Sequence, residues 1–214
     1  MIHPGEHVSI FGMTGSGKTT LTRSLIQIFP RQIIFDRMGE FSDDASAFYC
    51  GDFEEFFELY KLRYESPAFR IIFQPAPGVS MDSLVSTTDQ ICALVYQAES
   101  YHSRGIALVF EEAWLYAPVH SIPPWFQEIL LTGRHYRISV VGNSQRPATV
   151  SKTLVTQSRH VFVGQFFEMN DRKYYEACFG PQPWLDIPLQ KGHFRWYRAD
   201  AEGPDKTQLI NVFT

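Results

Sequence analysis

Two groups of side chains in this sequence have chemistry in their spacing. The first is Gly12-Met13-Thr14-Gly15-Ser16-Gly17-Lys18-Thr19, which fits the phosphate-loop pattern G-x-x-x-x-G-K-[ST]. Glycines let a backbone wrap a phosphate with its N–H groups pointing inward. A helix starting at the loop's end adds partial positive charge. Lys18 has the reach for β- and γ-phosphates, the Thr19 hydroxyl is a Mg²⁺ ligand, and Thr20 completes the nucleotide-binding run. The second group is Glu111-Glu112, placed directly after the apolar run Ile106-Ala107-Leu108-Val109-Phe110. Acids at the end of a buried parallel strand lie where open α/β sheets bind ligands. Glu111 suits a Mg²⁺ shell, through water. Glu112 suits orienting or deprotonating an attacking water. The bland alternative, two solvated strand-end charges, remains open on the residues alone.

Several elements must position these groups. Val8-Ser9-Ile10-Phe11 reads as the strand before the loop. The helix after it carries Leu21, Leu25 and Ile28 on one face and ends at Pro30. Further strands are expected at 32–36, 69–73, 106–110, 138–143 and 160–165, with C-terminal ones at 193–198 and 207–213. Asp52 with Glu55 reads as a capping box opening a helix whose Phe53, Phe56, Phe57 and Tyr60 face the core. Residues 82–102 form a long helix with Leu84, Ile91, Leu94, Val95 and Ala98 inward. Pro123-Pro124 opens a helix from Trp125 to Thr132 that Gly133 ends. Residues 171–178 are a short helix, with Pro181, Pro183 and Pro188 breaking the chain after it.

Two β–α units separate Lys18 from Glu111, and Glu112 supplies a second acid. Both features point to the phosphate-loop NTPases with an additional strand and a catalytic glutamate. The expected fold is α/β: a mainly parallel sheet flanked by helices, with a C-terminal antiparallel β extension. One domain spans 1–214, with its core at about 6–168 and the extension at about 169–214. At the end of the strand after the acid strand, Gln145 is a candidate γ-phosphate sensor and Asn143 the runner-up, since an amide can bond both phosphate and water. Arg134 follows a helix C-terminus, where a cation relieves the helix dipole whatever else it does.

Composition narrows the classes. The 214 residues are 44% hydrophobic, enough for a sizeable core, and carry a net charge of −4. That does not point to a general polyanion-binding surface, so any nucleic-acid contact must come from a local patch or a ring of subunits. Cys50, Cys92 and Cys178 are odd in number and far apart, as in a reduced cytosolic protein. His3 and His7 sit four apart with no carboxylate pattern, so a metal site there is not expected. No apolar run reaches the ~18 residues of a membrane span, and no signal-peptide pattern is seen.

The chain resembles the FtsK–HerA superfamily of DNA-pumping ATPases. The matching pieces are Gly12–Thr19, the strand end Ile34-Phe35-Asp36-Arg37-Met38-Gly39-Glu40-Phe41, Glu111-Glu112-Ala113, and Gly133-Arg134-His135 followed by Gln145-Arg146-Pro147. The resemblance implies ATP and Mg²⁺ as cofactors. It also implies a homohexameric ring around double-stranded DNA and an arginine given to the neighbour's nucleotide, here Arg134. Glu111 stands where most members have Asp. The chain reads as nearly all motor, which resembles the genome-packaging ATPases of tailless viruses with an internal membrane. The expected function is therefore ATP-driven packaging of a viral genome into a preformed capsid, in the virion or host cytoplasm, with capsid vertex proteins as partners. The alternatives are a cellular or plasmid DNA-transfer or DNA-processing ATPase, a filamentous-phage-type assembly ATPase and a small-molecule kinase. Lys61, Arg63 and the loop Tyr116–Ser121 are candidates for pore contacts, with a solvated surface as the competing reading.

Overall fold

A computed structural model of the chain describes residues 1–165, 169–180, 189–201 and 207–213. The strands are β1 (His7–Phe11), β2 (Arg31–Phe35), β3 (Phe48–Cys50), β4 (Phe69–Phe73), β5 (Ile106–Phe110), β6 (Ile138–Ser144), β7 (Ser158–Val163), β8 (His193–Arg198) and β9 (Thr207–Asn211). The helices are α1 (Lys18–Ile26), α2 (Phe53–Arg63), α3 (Met81–His102), α4 (Pro124–Thr132), α5 (Lys152–Gln157) and α6 (Met169–Phe179). All nine strands form one sheet in the order β3-β4-β2-β5-β6-β1-β7-β8-β9. The first seven are parallel, and β8 and β9 add on antiparallel.

The sheet divides the core by the two-residue period of its strands. Ile33, Phe35, Ile71, Phe73, Leu108, Phe110 and Val140 point to the face covered by α2 to α6. Their neighbours Ile34, Ile72, Val109 and Val141, with Val8 and Ile10, point to the face covered by α1. β1, β2, β5 and β6 are buried along their whole length, as central parallel strands must be. Phe35 stacks on Phe110 at 4.2 Å, and Phe126 of α4 meets Phe110 edge-on at 5.0 Å. These rings lie under the C-terminal ends of β2 and β5, so the strand ends that carry Asp36 and Glu111 rest on a packed floor.

Several expectations change at the level of single side chains. Ile28 is 48% exposed because α1 stops at Ile26. Phe29 takes the buried place instead. On α2, Phe56 and Tyr60 are buried, whereas Phe57 faces out and Phe53 is half-buried. The Asp52 carboxylate caps Glu55 N as expected, but Glu55 returns to Gly51 N rather than to Asp52. Gly133 does not end the helical run. The chain continues in a 3-10 turn to Tyr136, and Arg137 takes the left-handed conformation. Glycine is needed at 133 because a Cβ would lie 3.2 Å from Ile129 and 3.3 Å from Ile138. β3, three residues long, had no signal in the sequence. Pro181, Pro183 and Pro188 lie outside the described residues.

One polar pair sits inside this frame. Arg31 at the start of β2 and Glu99 near the end of α3 are 2% and 0% exposed and 2.7 Å apart. Glu99 also accepts from Gly105 N, and the guanidinium lies between the rings of Tyr64 and Phe69 at 5.3 and 5.2 Å. Removing one partner strands the other charge in the core. Glu99→Ala is therefore expected to cost about 3–5 kcal/mol in urea denaturation. Replacing the pair together, Arg31→Met with Glu99→Leu, recovers most of that loss. A single variant within about 1 kcal/mol of the parent would show that the pair is not isolated from water.

Candidate active site

The strand order puts the site together. β6 lies between β5, which ends in the acids, and β1, which ends in the phosphate loop. That inserted strand is the one expected from the two acids and their distance along the chain. Its width sets Glu112 across from Lys18.

The loop has the backbone that its glycines permit. Gly15 and Gly17 both have positive φ, at 76° and 101°, and Gly17 is the residue before α1. Gly12 is needed for a different reason: a Cβ there would lie 2.7 Å from Ser16 Oγ. Met13 N is held by Gln165 O, and Ser16 N returns to Met13 O. Lys18 is 8% exposed, and its ammonium donates to Met13 O at 3.4 Å. Burial lowers its pKa, while Glu112, Glu111 and Glu40 pull the other way. Thr14, Gly15, Gly17, Lys18, Thr19 and Thr20 line one wall of a cleft of roughly 510 Å³. Glu111, Glu112 and Gln145 line the opposite side. Of the residues assigned to the nucleotide from sequence, Gly12, Met13 and Ser16 do not line the cleft, and Lys18, Thr19 and Thr20 form the first turn of α1.

The two acids differ in environment. Glu111 is 3% exposed, and its Oε1 has no hydrogen-bond partner among the described residues. Burial pushes its carboxyl up to about 7; Asp36, Glu40 and Glu112 add to the rise, and the Asn143 amide opposes it. A buried carboxyl oxygen left bare, in a cleft that Thr19 also lines, gives two oxygen donors that fit Mg²⁺ and its water shell. Glu112 has φ 55° and ψ 64°, a left-handed conformation that a glutamate adopts only when its surroundings impose it. Its N–H donates to Asn143 Oδ1 at 3.0 Å. Its carboxylate accepts from Trp114 Nε1 at 3.1 Å and from Gln145 Nε2 at 3.2 Å.

Gln145 is therefore beside Glu112, exposed, and free to turn into the cleft. Asn143, the runner-up sensor, is instead buried, and its Nδ2 donates to Thr22 Oγ1 of α1 at 3.1 Å. It clamps the acid loop to the helix that follows the phosphate loop. Sequence reasoning missed four contributors. Glu40 and Met38 reach the cleft from the loop after β2, whose shape is fixed by Asp36: that buried carboxylate accepts from Glu40 N at 3.0 Å and Phe41 N at 2.7 Å. Lys191 and Phe213 reach it from the C-terminal strands. A mostly parallel sheet predicts sites at its C-terminal edge, but nothing in the sequence says that the antiparallel extension turns back onto the loop.

Other candidates fall elsewhere. Arg134 is exposed at the N-terminal edge of the sheet, where its carbonyl packs on Gly5. The seven residues of β6 separate it from Gln145, a span of roughly 20 Å. It does not reach the cleft of its own chain. His7 is 4% exposed, and its Nδ1 accepts from Val140 N. Burial lowers its pKa to about 4, so it is a neutral core histidine. No group of His, Cys, Asp or Glu among the described residues forms a metal cluster with it. Tyr116 is not a surface residue: it is fully buried, with its ring edge-on to Phe35, and its hydroxyl accepts from Arg37 N. The later residues of that loop, Val119 to Ser121, are exposed. Arg63 stacks over Phe48 at 4.1 Å, while Lys61 is exposed.

Fold and site together define a phosphate-loop ATPase of the additional-strand type. Residues 5–102 match the family model of the central domain of the helicase HerA. No curated protein matches the chain in sequence. Among solved structures, the genome-packaging NTPase B204 of Sulfolobus turreted icosahedral virus 2, in complex with ATPγS, aligns with 98% of this chain and 98% of its own, at a TM-score of 0.73 and 15% identity. The pCW3 conjugation coupling protein TcpA covers 97% of this chain and 60% of its own, at 0.59 and 15%. EssC of Geobacillus thermodenitrificans, through its ATPases 2 and 3, covers 97% and 40%, at 0.54 and 13%. Within the phosphate-loop class, the chain is similar to the FtsK–HerA ATPases, as its motifs indicate. No helix among the described residues is long and apolar enough to cross a membrane.

The raised carboxyl of Glu111 has a measurable consequence. Without Mg²⁺ and nucleotide, the folded chain holds a proton on Glu111 that the unfolded chain has already released above its ordinary value of 4.5. Stability contributed by this group therefore falls as pH rises from about 5 to 7 and levels off above that. Glu111→Gln removes the titration. Its stability relative to the parent should be near zero difference at pH 5 and higher by roughly 3 kcal/mol at pH 8, in urea denaturation without Mg²⁺ and nucleotide. Parallel pH profiles for the two proteins would mean that Glu111 is ionised and solvated in the free chain.

Proposed function

We propose that this chain is an ATP-driven translocase of double-stranded DNA that packages a viral genome into a preformed capsid as a homohexameric ring. The observation that carries the reading is the placement of Glu112. It stands two residues past the acid strand, in a left-handed backbone conformation, across the inserted strand from Lys18, with Gln145 against its carboxylate. The packaging member of the group is favoured over the others because its fold superposes better, with a TM-score of 0.73 against 0.59 for TcpA and 0.54 for EssC.

Each side chain then has a role. The loop N–H groups and Lys18 hold the β- and γ-phosphates, and Thr19 with Glu111 would hold Mg²⁺, which supplies charge neutralisation when bound. Glu112 takes a proton from the attacking water, and Gln145 orients that water or the γ-phosphate. Phosphoryl transfer needs little else than positioning and charge. A kinase reading has less support because Glu112 stands across the inserted strand from Lys18, where it places a base for water. Other readings inside the group differ in the track or cargo: a cellular or plasmid DNA-transfer motor, or a filamentous-phage-type assembly ATPase.

Duplex DNA is expected to stimulate ATP hydrolysis without sequence preference, and binding should fall steeply between 50 and 200 mM salt because a motor holds phosphates rather than bases. Hydrolysis indifferent to duplex at every salt concentration would remove DNA as the track.

The ring is tested through Arg134. Its position far from its own cleft leaves action on a neighbour as its catalytic option. An arginine inserted in trans contributes on the order of 10³–10⁵ in rate. Arg134→Ala chains should bind ATP and be nearly inactive, as should Glu112→Gln chains. Mixtures should regain activity, because some interfaces then pair an intact Glu112 with an intact Arg134. A rate that stays at the mutant background at every mixing ratio, with rings formed and subunits exchanging, would reduce Arg134 to a helix-end cation.

A further inference from the structure

The antiparallel strands do more than widen the sheet. β8 pairs with β7, and β9 with β8, which brings the chain back to the phosphate loop twice. Before β8, Gly192 N donates to Ser16 O at 2.9 Å. After β9, Val212 N donates to Gly192 O at 2.9 Å, and Phe213 N donates to Asn211 Oδ1 at 3.0 Å. The tail is thus bonded to a turn that is itself bonded to the loop.

Two glycines accept this tail. A Cβ on Gly17 would lie 3.2 Å from Val212 Cγ2 and 3.5 Å from Phe213 Cζ. A Cβ on Gly192 would lie 2.2 Å from the Phe213 ring, and Gly192 has φ 81°. The ring therefore rests on bare backbone that no other residue type provides. It is nevertheless 57% exposed. What it exposes lines the same cleft as Lys18, Thr19 and Glu112, and exposed Lys191 lines that cleft from the adjoining turn. An aromatic ring backed by glycines and open toward a nucleotide cleft is a stacking surface, and stacking tolerates any base because every base has a π face.

We propose that Phe213 is the platform for the base of the bound nucleoside triphosphate, with Lys191 as a second cation at the polyphosphate. The inference rests on the nucleotide reading given above and extends it: the base is held by the C-terminal extension, not by the parallel core. Phe213 recognises a flat ring and not a hydrogen-bonding edge. It therefore favours purines over pyrimidines by stacking area and separates adenine from guanine weakly.

The test compares two Mg²⁺ complexes, ATP and inorganic tripolyphosphate, by calorimetry on the full chain. Tripolyphosphate has the phosphates and no base. Phe213→Ala should weaken ATP by about 5- to 150-fold and leave tripolyphosphate within about twofold, with Phe213→Trp retaining ATP and Phe213→Leu behaving like alanine. Lys191→Ala should weaken both ligands, more at low salt. Unchanged ATP affinity in Phe213→Ala overturns the platform. So does equal weakening of the two ligands, which would make the ring a brace for the loop. A parent chain that binds tripolyphosphate as well as ATP overturns the base contact and leaves the phosphate site standing. A parent chain that binds neither overturns the nucleotide reading itself.

Discussion

Asp36, Glu40, Glu111 and Glu112 gather around one buried lysine at the C-terminal edge of the sheet. This excess of negative charge is the constraint on which the rest of the arrangement depends. A polyanion cannot settle there against the acids unless cations come with it. Asp36 is neutralised structurally, by two backbone N–H groups that it orders into the loop after β2. Glu111 has no such donor on Oε1 among the described residues, and burial raises its carboxyl well above the usual range. A bound divalent ion would reverse that balance, so phosphate and metal occupancy are coupled through one carboxyl group. The loop's own contribution is uncharged: N–H groups exposed by Gly15 and Gly17, at the start of α1.

β6 turns this electrostatic requirement into a distance. Its register matches Val141 with Val8 on one side and Val109 on the other, so the phosphate loop and the acids are held on either side of one strand. Asn143 near its end makes the spacing rigid, bonding Glu112 N with its carbonyl and Thr22 with its amide. The close approach on the other face also fixes a residue type: a Cβ on Gly142 would lie 2.7 Å from Leu154 of α5. The left-handed backbone of Glu112 follows from this frame. The chain must leave β5, satisfy Asn143 and enter the turn at Ala113 within two residues, and the strain is held by packed rings below.

Much of this was legible in the sequence because the informative residues have few substitutes. A buried parallel strand reads as an unbroken apolar run, and so β2, β4, β5 and β6 fell within a residue of their places. The glycines and Lys18 define the loop by themselves. What was not legible depended on tertiary partners. Ile28 and Phe57 fit the helical period but lie where no other element covers them. Asn143 and Gln145 are both amides at one strand end, and only their neighbours make one a clamp and the other a free arm. β3 is too short to carry a period. Lys191 and Phe213 carry no pattern of their own; their meaning comes from the Gly192 bond to Ser16 and from the two glycines that leave room for a ring.

The charge complement of the cleft also bears on assembly. The cations that line it among the described residues are Lys18 and Lys191, and no arginine is with them. Lys18 is drawn to the β- and γ-phosphates by its place in the loop, and Lys191 stands on the far side with Phe213. In phosphoryl transfer, charge spreads over the three equatorial oxygens of the moving group, and a planar guanidinium matches that spread better than an ammonium does. Gln145, which lines the cleft, is exposed and bonds to Glu112. Among the described residues, one chain thus lines its cleft with the proposed base, phosphate cradle and metal-binding acid, and with no arginine. Arg134, at the opposite sheet edge, has no route to that cleft within its own chain. In the ring proposed above, a neighbour stacked edge against edge would supply it, through a heterologous contact that repeats when its rotation closes.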